Sequence, residues 1–140
     1  MLMNKHRGNA DETHFLNVDL DIYSKTDLQP LVSALGKKVI VLYVGRYRRT
    51  YSARLEVARL TKDVDSTIRA FCKVIESLPR TQRRRWNTAT RREFNIGVQG
   101  GMQPRSHEIL LAAATVKAVS EVDARIGFTV YAPTVSAVWS

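Results

Sequence analysis

The sequence predicts an α+β domain, a mostly antiparallel sheet with two or three helices packed on one face. Three observations carry this expectation. Four runs, His14 to Tyr23, Tyr51 to Ala58, Glu93 to Gln99 and Arg125 to Tyr131, alternate apolar and polar residues with the period of two that a half-buried strand requires. The run Asp63 to Leu78 instead spaces Val64, Ile68, Phe71, Cys72, Ile75 and Leu78 along one stripe of a helix. Strand and helix patterns are interspersed in the order β-α-β-β-α-β-β-α-β within 140 residues, about one domain's length.

Each element has its own justification. In His14 to Tyr23, Leu16, Val18, Leu20 and Ile22 face one way and Asn17, Asp19 and Asp21 the other. Asp27 is placed to cap a short helix over Leu28 to Leu35, with Pro30 in its first turn and Gly36 as its left-handed stop. Val39 to Val44 is apolar on both faces, which predicts a central strand. Gly45 to Thr50 turns the chain into Tyr51 to Ala58, so the two runs form an antiparallel hairpin. The long stripe follows, capped by Asp63, favoured by Asp65 at the positive end of the helix dipole and stopped by Pro79. Arg80 to Thr90 is basic around one tryptophan and is expected to be a short helix or irregular. Glu93 to Gln99 is a strand, Gly100 to Pro104 a turn, His107 to Leu111 a short strand and Thr115 to Val122 a small helix on Val116, Val119 and Val122. Arg125 to Tyr131 closes the domain and Pro133 ends it. Leu28 to Val44 and Thr115 to Tyr131 share a helix, link and strand plan, with Val-Ser at matching places, which suggests a β-α-β-like internal duplication.

One domain over 14–133 accounts for the chain, with 1–13 as a flexible lead-in and 134–140 as a tail. The tail's Val135, Val138 and Trp139 are expected to cover the core, with a homodimer as the other outcome. An apolar content of 44% and a charged content of 25% are ordinary for a globular protein. The single cysteine excludes an intramolecular disulfide and a cysteine-based zinc site, and fits a reducing, cytoplasmic setting. No apolar run reaches membrane-spanning length, and the first residues lack the apolar segment of a secretory signal.

The net charge of +9 is the unusual bulk property, and it is uneven. Met1 to Pro30 holds three Lys/Arg against five Asp/Glu, whereas Arg46 to Arg92 holds fourteen against four. Such a field attracts anionic partners.

Four segments, NVDLDIYS, SALGKKV, REFNIGVQGG and ILLAAATVKAVSEVDARIGFTVYAP, resemble a family of small uncharacterised bacterial domains over residues 17 to 133. The resemblance implies an α+β domain and brings no catalytic residues. By analogy it implies an immunity-like, partner-blocking role.

The basic segments are the best functional signal. Arg46, Arg48 and Arg49 interleave with Tyr47 and Tyr51 at the hairpin tip, and Arg80, Arg83, Arg84, Arg85, Arg91 and Arg92 surround Trp86. Guanidinium groups bind phosphate or carboxylate in two-pronged fashion, and aromatic faces stack on bases. Asp19 and Asp21, on one strand face, are the acid-base candidates, against the plainer role of a wetted sheet face. His6, His14 and His107 lack metal-ligand spacing, Cys72 lies on the core stripe, and no phosphate-cradling or nucleophile-elbow motif is present. The expectation is a non-enzymatic protein that meets an acidic protein surface through its arginines. Nucleic-acid binding by the same residues is the alternative, and a small enzyme on Asp19 and Asp21 the third. No cofactor, catalytic residue, metal or membrane partner is expected.

Overall fold

The computed structural model describes residues 11–133. Five strands form one mixed sheet in the order β2-β3-β1-β4-β5. They are β1 (His14–Ser24), β2 (Val39–Tyr47), β3 (Thr50–Val57), β4 (Arg91–Gln99) and β5 (Arg125–Tyr131). The helices are α1 (Gln29–Leu35), α2 (Val64–Glu76), α3 (Arg80–Thr88) and α4 (Ala113–Glu121), with a single 3-10 turn, Gly36–Lys38, leading into β2. The α+β class stands as expected, with four helices rather than two or three. Pairs β2–β3, β3–β1 and β1–β4 are antiparallel, and β4–β5 is parallel. Through β4 the connectivity is the split β-α-β arrangement, to which α4 and β5 add one more crossover.

Side-chain alternation explains why the sheet has an inside. Val18, Leu20 and Ile22 of β1, Ala53 and Leu55 of β3, and Phe94, Ile96 and Val98 of β4 are all buried on one face. The stripe on α2 lies against that face, with Ile68, Phe71, Cys72 and Ile75 buried and the Phe71 ring 5.5 Å from that of Phe94. Each large side chain so buried is worth about 2 kcal/mol relative to exposure. The start of α2 is fixed by a capping box. Asp63 Oδ1 accepts from the Ser66 amide at 2.8 Å, while Ser66 Oγ accepts from the Asp63 amide at 3.3 Å. Asp27 Oδ1 accepts from the Gln29 amide at 3.0 Å, and Gly36 sits at φ 56°, so α1 begins and ends on the residues its sequence offered.

Two elements differ from expectation. Val39–Tyr47 is not central: β2 is the edge of the sheet, with Ile40, Val41, Leu42 and Tyr43 each 44–49% exposed. Its apolar residues on both faces arise without a strand on its far side among the described residues. His107 to Leu111 is not a strand. It belongs to an extended connection in which Ile109 and Leu111 turn to the core and Leu110 turns to solvent. The alternation was a packing pattern: the free side of β4, the strand just before it in sequence, is occupied by β5. The two helix-strand units suggested as duplicates also close differently. β1-α1-β2 brackets β3, whereas β4 and β5 are adjacent.

Gly100 and Gly101 turn the chain beside the lead-in. The Gly100 amide donates to Tyr131 O at 2.7 Å, and a Cβ on Gly101 would run into the Asp11 carbonyl. The Thr13 amide donates to Gln103 O at 2.6 Å, and Glu12 bridges the same residue. The rest of the lead-in and the tail with Val135, Val138 and Trp139 lie outside the described residues.

Candidate binding surfaces

The register gathers the hairpin and the start of β4 at one end of the sheet. Arg46 lies opposite Tyr51, Tyr51 opposite Ser24, and the neighbouring Tyr23 opposite Arg91. Arg46, Tyr47, Arg48, Arg49 and Arg91 are exposed there. The β2–β3 turn is formed by Arg48 and Arg49, with Arg48 at φ 59°. The guanidiniums stack on the chain's own rings: Arg46 5.3 Å from the Tyr51 centroid, Arg48 5.4 Å from Tyr47 and Arg91 5.0 Å from Tyr23.

The second arginine group divides. Arg84 and Arg85 are exposed on α3, but Trp86 is fully buried and its Nε1–H donates to Val122 O at 2.7 Å. Trp86 is therefore a core residue, and its ring cannot receive a base. Arg92 is structural too. Its Nη1 donates to Trp86 O at 3.0 Å and Ala89 O at 2.6 Å, closing the carbonyl end of α3, and Nη2 pairs with Asp123 at 3.1 Å. Arg83 Nη2 donates to Glu121 O at 3.3 Å, at the end of α4. Arginines in a basic segment thus serve helix ends whose carbonyls need donors.

Two cationic hollows lie elsewhere, and the run of arginines did not point to them. A cavity of ≈ 550 Å³ between the β3–α2 link and α2 is lined by Arg59, Lys62, Arg69 and Lys73, with Asp65 as its only aspartate or glutamate. Asp65 is engaged on two sides, with Arg69 at 4.0 Å and the Ala112 amide at 2.8 Å. A second hollow of ≈ 380 Å³ shares Arg59 and Lys73 and adds Lys37 and Lys38 at the start of β2. Two sequence signals could have found them. Arg69 and Lys73 are one helical turn apart on the polar side of α2, and no Asp or Glu lies between Asp27 and Glu56.

The helix-free face of the sheet carries Asp19 and Asp21 in a mixed row of charges. Arg54 Nε donates to Asp21 at 2.9 Å, Arg125 Nε donates to Glu93 at 2.7 Å, and Arg91 approaches Glu93 at 3.4 Å. These ion pairs account for Asp21 and Glu93 being only 8% exposed on an open face. Asn17 Nδ2 donates to both Asp19 and Glu56 at 3.0 Å, tying two carboxylates together. Burial first, then the Asp21 and Glu56 charges, raise the Asp19 carboxyl above its ordinary value, against the pull of Arg54. Arg54 is held more firmly protonated by its hydrogen bond to Asp21.

The remaining candidates are quiet. Cys72 is buried and its thiol is pushed up to about 11 by burial and by Glu76, the opposite of an activated nucleophile. His14 Nδ1 lies 2.8 Å from Glu12 O, His107 is exposed in the long connection, and His6 lies outside the described residues. Among the described residues no three His, Cys, Asp or Glu side chains are grouped to hold a metal ion, and no helix is long and apolar enough to cross a membrane.

Comparison of the chain with protein-family models, with curated proteins and with solved structures gives no match in any of the three. The family resemblance seen in the strand and helix segments therefore adds nothing to the α+β fold that the coordinates display by themselves.

Proposed function

We propose that this is a non-enzymatic binding protein whose basic surface meets an acidic protein partner. One observation carries the proposal: the joined hollows along α2, where Lys37, Lys38, Arg59, Lys62, Arg69 and Lys73 face a single aspartate that is already engaged. Uncompensated cations around a concavity attract carboxylates, and they speed encounter more than they hold the complex. A protein partner is favoured over nucleic acid by the make-up of the open sheet face. A strand of phosphates laid across it would meet Asp19, Asp21, Glu56 and Glu93, and Trp86 is not displayed for stacking.

The nucleic-acid alternative keeps one observation of its own, the end of the sheet where Arg46, Arg48, Arg49 and Arg91 stand beside Tyr23 and Tyr47. Affinity capture from the native host, with and without nuclease, separates the two. The expected result is a protein retained after nuclease treatment and lost with the Arg59→Glu, Lys73→Glu double variant. Capture that disappears with nuclease, survives that double variant and falls with Arg48→Glu and Arg49→Glu would transfer the function to the sheet end and nucleic acid.

A further inference from the structure

We infer that the edge strand β2 is the seat of a partner's β-strand, an extended segment with an apolar middle and carboxylates near its ends. This rests on the acidic-partner proposal and says how that partner is held. Edge strands of monomeric proteins are ordinarily blunted by charge, proline or brevity, because their unpaired amides and carbonyls template further pairing. β2 carries neither charge nor proline from Val39 to Gly45, and the one irregularity there is a shift of register with β3 at Leu42. The strand is nine residues long, and Ile40, Val41, Leu42 and Tyr43 are all about half exposed. Pairing with β3 places Ile40 and Tyr43 on the helix-free face and Val41 on the helix face, so apolar surface is presented on both sides of a backbone edge that no other strand pairs with among the described residues. A strand added there gains main-chain hydrogen bonds and two apolar flanks at once.

The ends of β2 specify the charge of the occupant. Lys37 and Lys38 precede it and line the second of the cationic hollows; Arg46, Arg48 and Arg49 close it. From Leu28 to Leu55 there is no acidic residue to offset them. The same charges disfavour a second copy of this chain. An antiparallel two-fold pairing centred on Leu42 would set Lys38 of one copy opposite Arg46 of the other, at both ends. A strand bracketed by glutamates or aspartates meets a cation at each end instead, and its leading carboxylates enter the groove along α2.

The test uses the whole protein and three labelled peptides of nine residues, the length of β2. The first has two glutamates, five alternating valines and threonines, and two glutamates. The second is the same with alternate backbone nitrogens methylated, which deletes donors without changing charge. The third replaces the middle by alternating glycine and serine. The expected result is binding of the first, with methylation and the glycine–serine exchange each weakening it about tenfold or more. Slowed amide exchange over Ile40 to Tyr43 should accompany that binding, and Val41→Lys with Leu42→Lys should remove it. Equal affinity for all three peptides would overturn the strand-addition proposal while leaving an acidic partner in place. No binding of the first or the third at low salt would remove both. A salt-resistant dimer in sedimentation that the Leu42→Lys change dissolves would make the occupant a second copy, and would overturn the proposal as well.

Discussion

Asp19 and Asp21 sit on the same face of one strand and face opposite electrostatics. Asp21 accepts a charge-assisted hydrogen bond from Arg54 at 2.9 Å. Asp19 is shielded from water beside two other carboxylates, and its pKa lies above the ordinary 3.8. A carboxyl with a raised folded pKa binds its proton more tightly in the native state than in the unfolded chain. Its stabilising contribution is whole below the unfolded pKa and is lost as pH rises through the folded one, so ionised Asp19 opposes folding at neutral pH. Asp19→Asn keeps an oxygen for Asn17 and removes the charge. The expected outcome is a higher melting temperature than wild type at about pH 7, with the difference closing toward about pH 3. Asp21→Asn leaves Arg54 facing an amide and should melt lower than wild type at about pH 7, by the equivalent of about 1 kcal/mol. Thermal melts at the two pH values check both, and a higher melting point for Asp21→Asn would refute the ion-pair account. The spacing of the two aspartates was visible in the sequence. Their difference was not, because Arg54 and Glu56 come from the neighbouring strand and only register sets them in place. Trp86 shows the same limit: its basic neighbours in sequence concealed that the indole donates into the core, to Val122 O.

At the scale of elements, what was legible follows the range of the cause. The identity of α2 is written within one window: a 3.6-residue stripe, Asp63 as cap and Pro79 beyond its end. Because the capping box satisfies two otherwise orphaned groups at the first turn, Asp63→Ala should destabilise the protein by about 1 kcal/mol. The Ser66 hydrogen bonds hold the Asp63 carboxyl below its ordinary pKa, so its stabilising effect is present above the unfolded pKa of 3.8 and falls away as pH drops through the lower, folded value. Urea melts of Asp63→Ala at neutral and acid pH should show the deficit shrinking in acid. A deficit unchanged by acid would show that the carboxylate is not what caps the helix. The position of β2 has a remote cause. An apolar run marks a strand, but whether it is central or at the edge depends on which later strand comes to lie beside it, and here the later strands β4 and β5 extend the sheet on the side of β1. The stretch His107 to Leu111 fails as a strand for the converse reason. Its alternation correctly turns Ile109 and Leu111 toward the core, while the free side of β4, the strand that precedes it in sequence, is paired with β5.

On the scale of the whole molecule the positive charge is not gathered in one patch, and two of its zones lie well apart. One is the end of the sheet with Arg46, Arg48 and Arg49, and the other is the hollow lined by Arg59, Lys62, Arg69 and Lys73. They lie toward opposite ends of β3, whose eight residues span about 26 Å at ~3.3 Å each. Screening at physiological salt has a length of about 8 Å, so each zone is electrostatically blind to the other there. At about 0.01 M salt the length grows to about 30 Å, and the two fields merge. Affinity for polyglutamate should therefore respond additively to reversing Arg48 with Arg49 and Lys62 with Lys73 at physiological salt. The double-cycle coupling should stay within about 0.5 kcal/mol. At low salt the same cycle should show a measurable coupling, because the second reversal then acts on a field already weakened by the first. Substantial coupling at physiological salt, undiminished by added salt, would mean that the zones communicate through the fold rather than through solvent. The sheet would then have to be treated as a deformable element linking the hairpin to α2 instead of a rigid spacer between them.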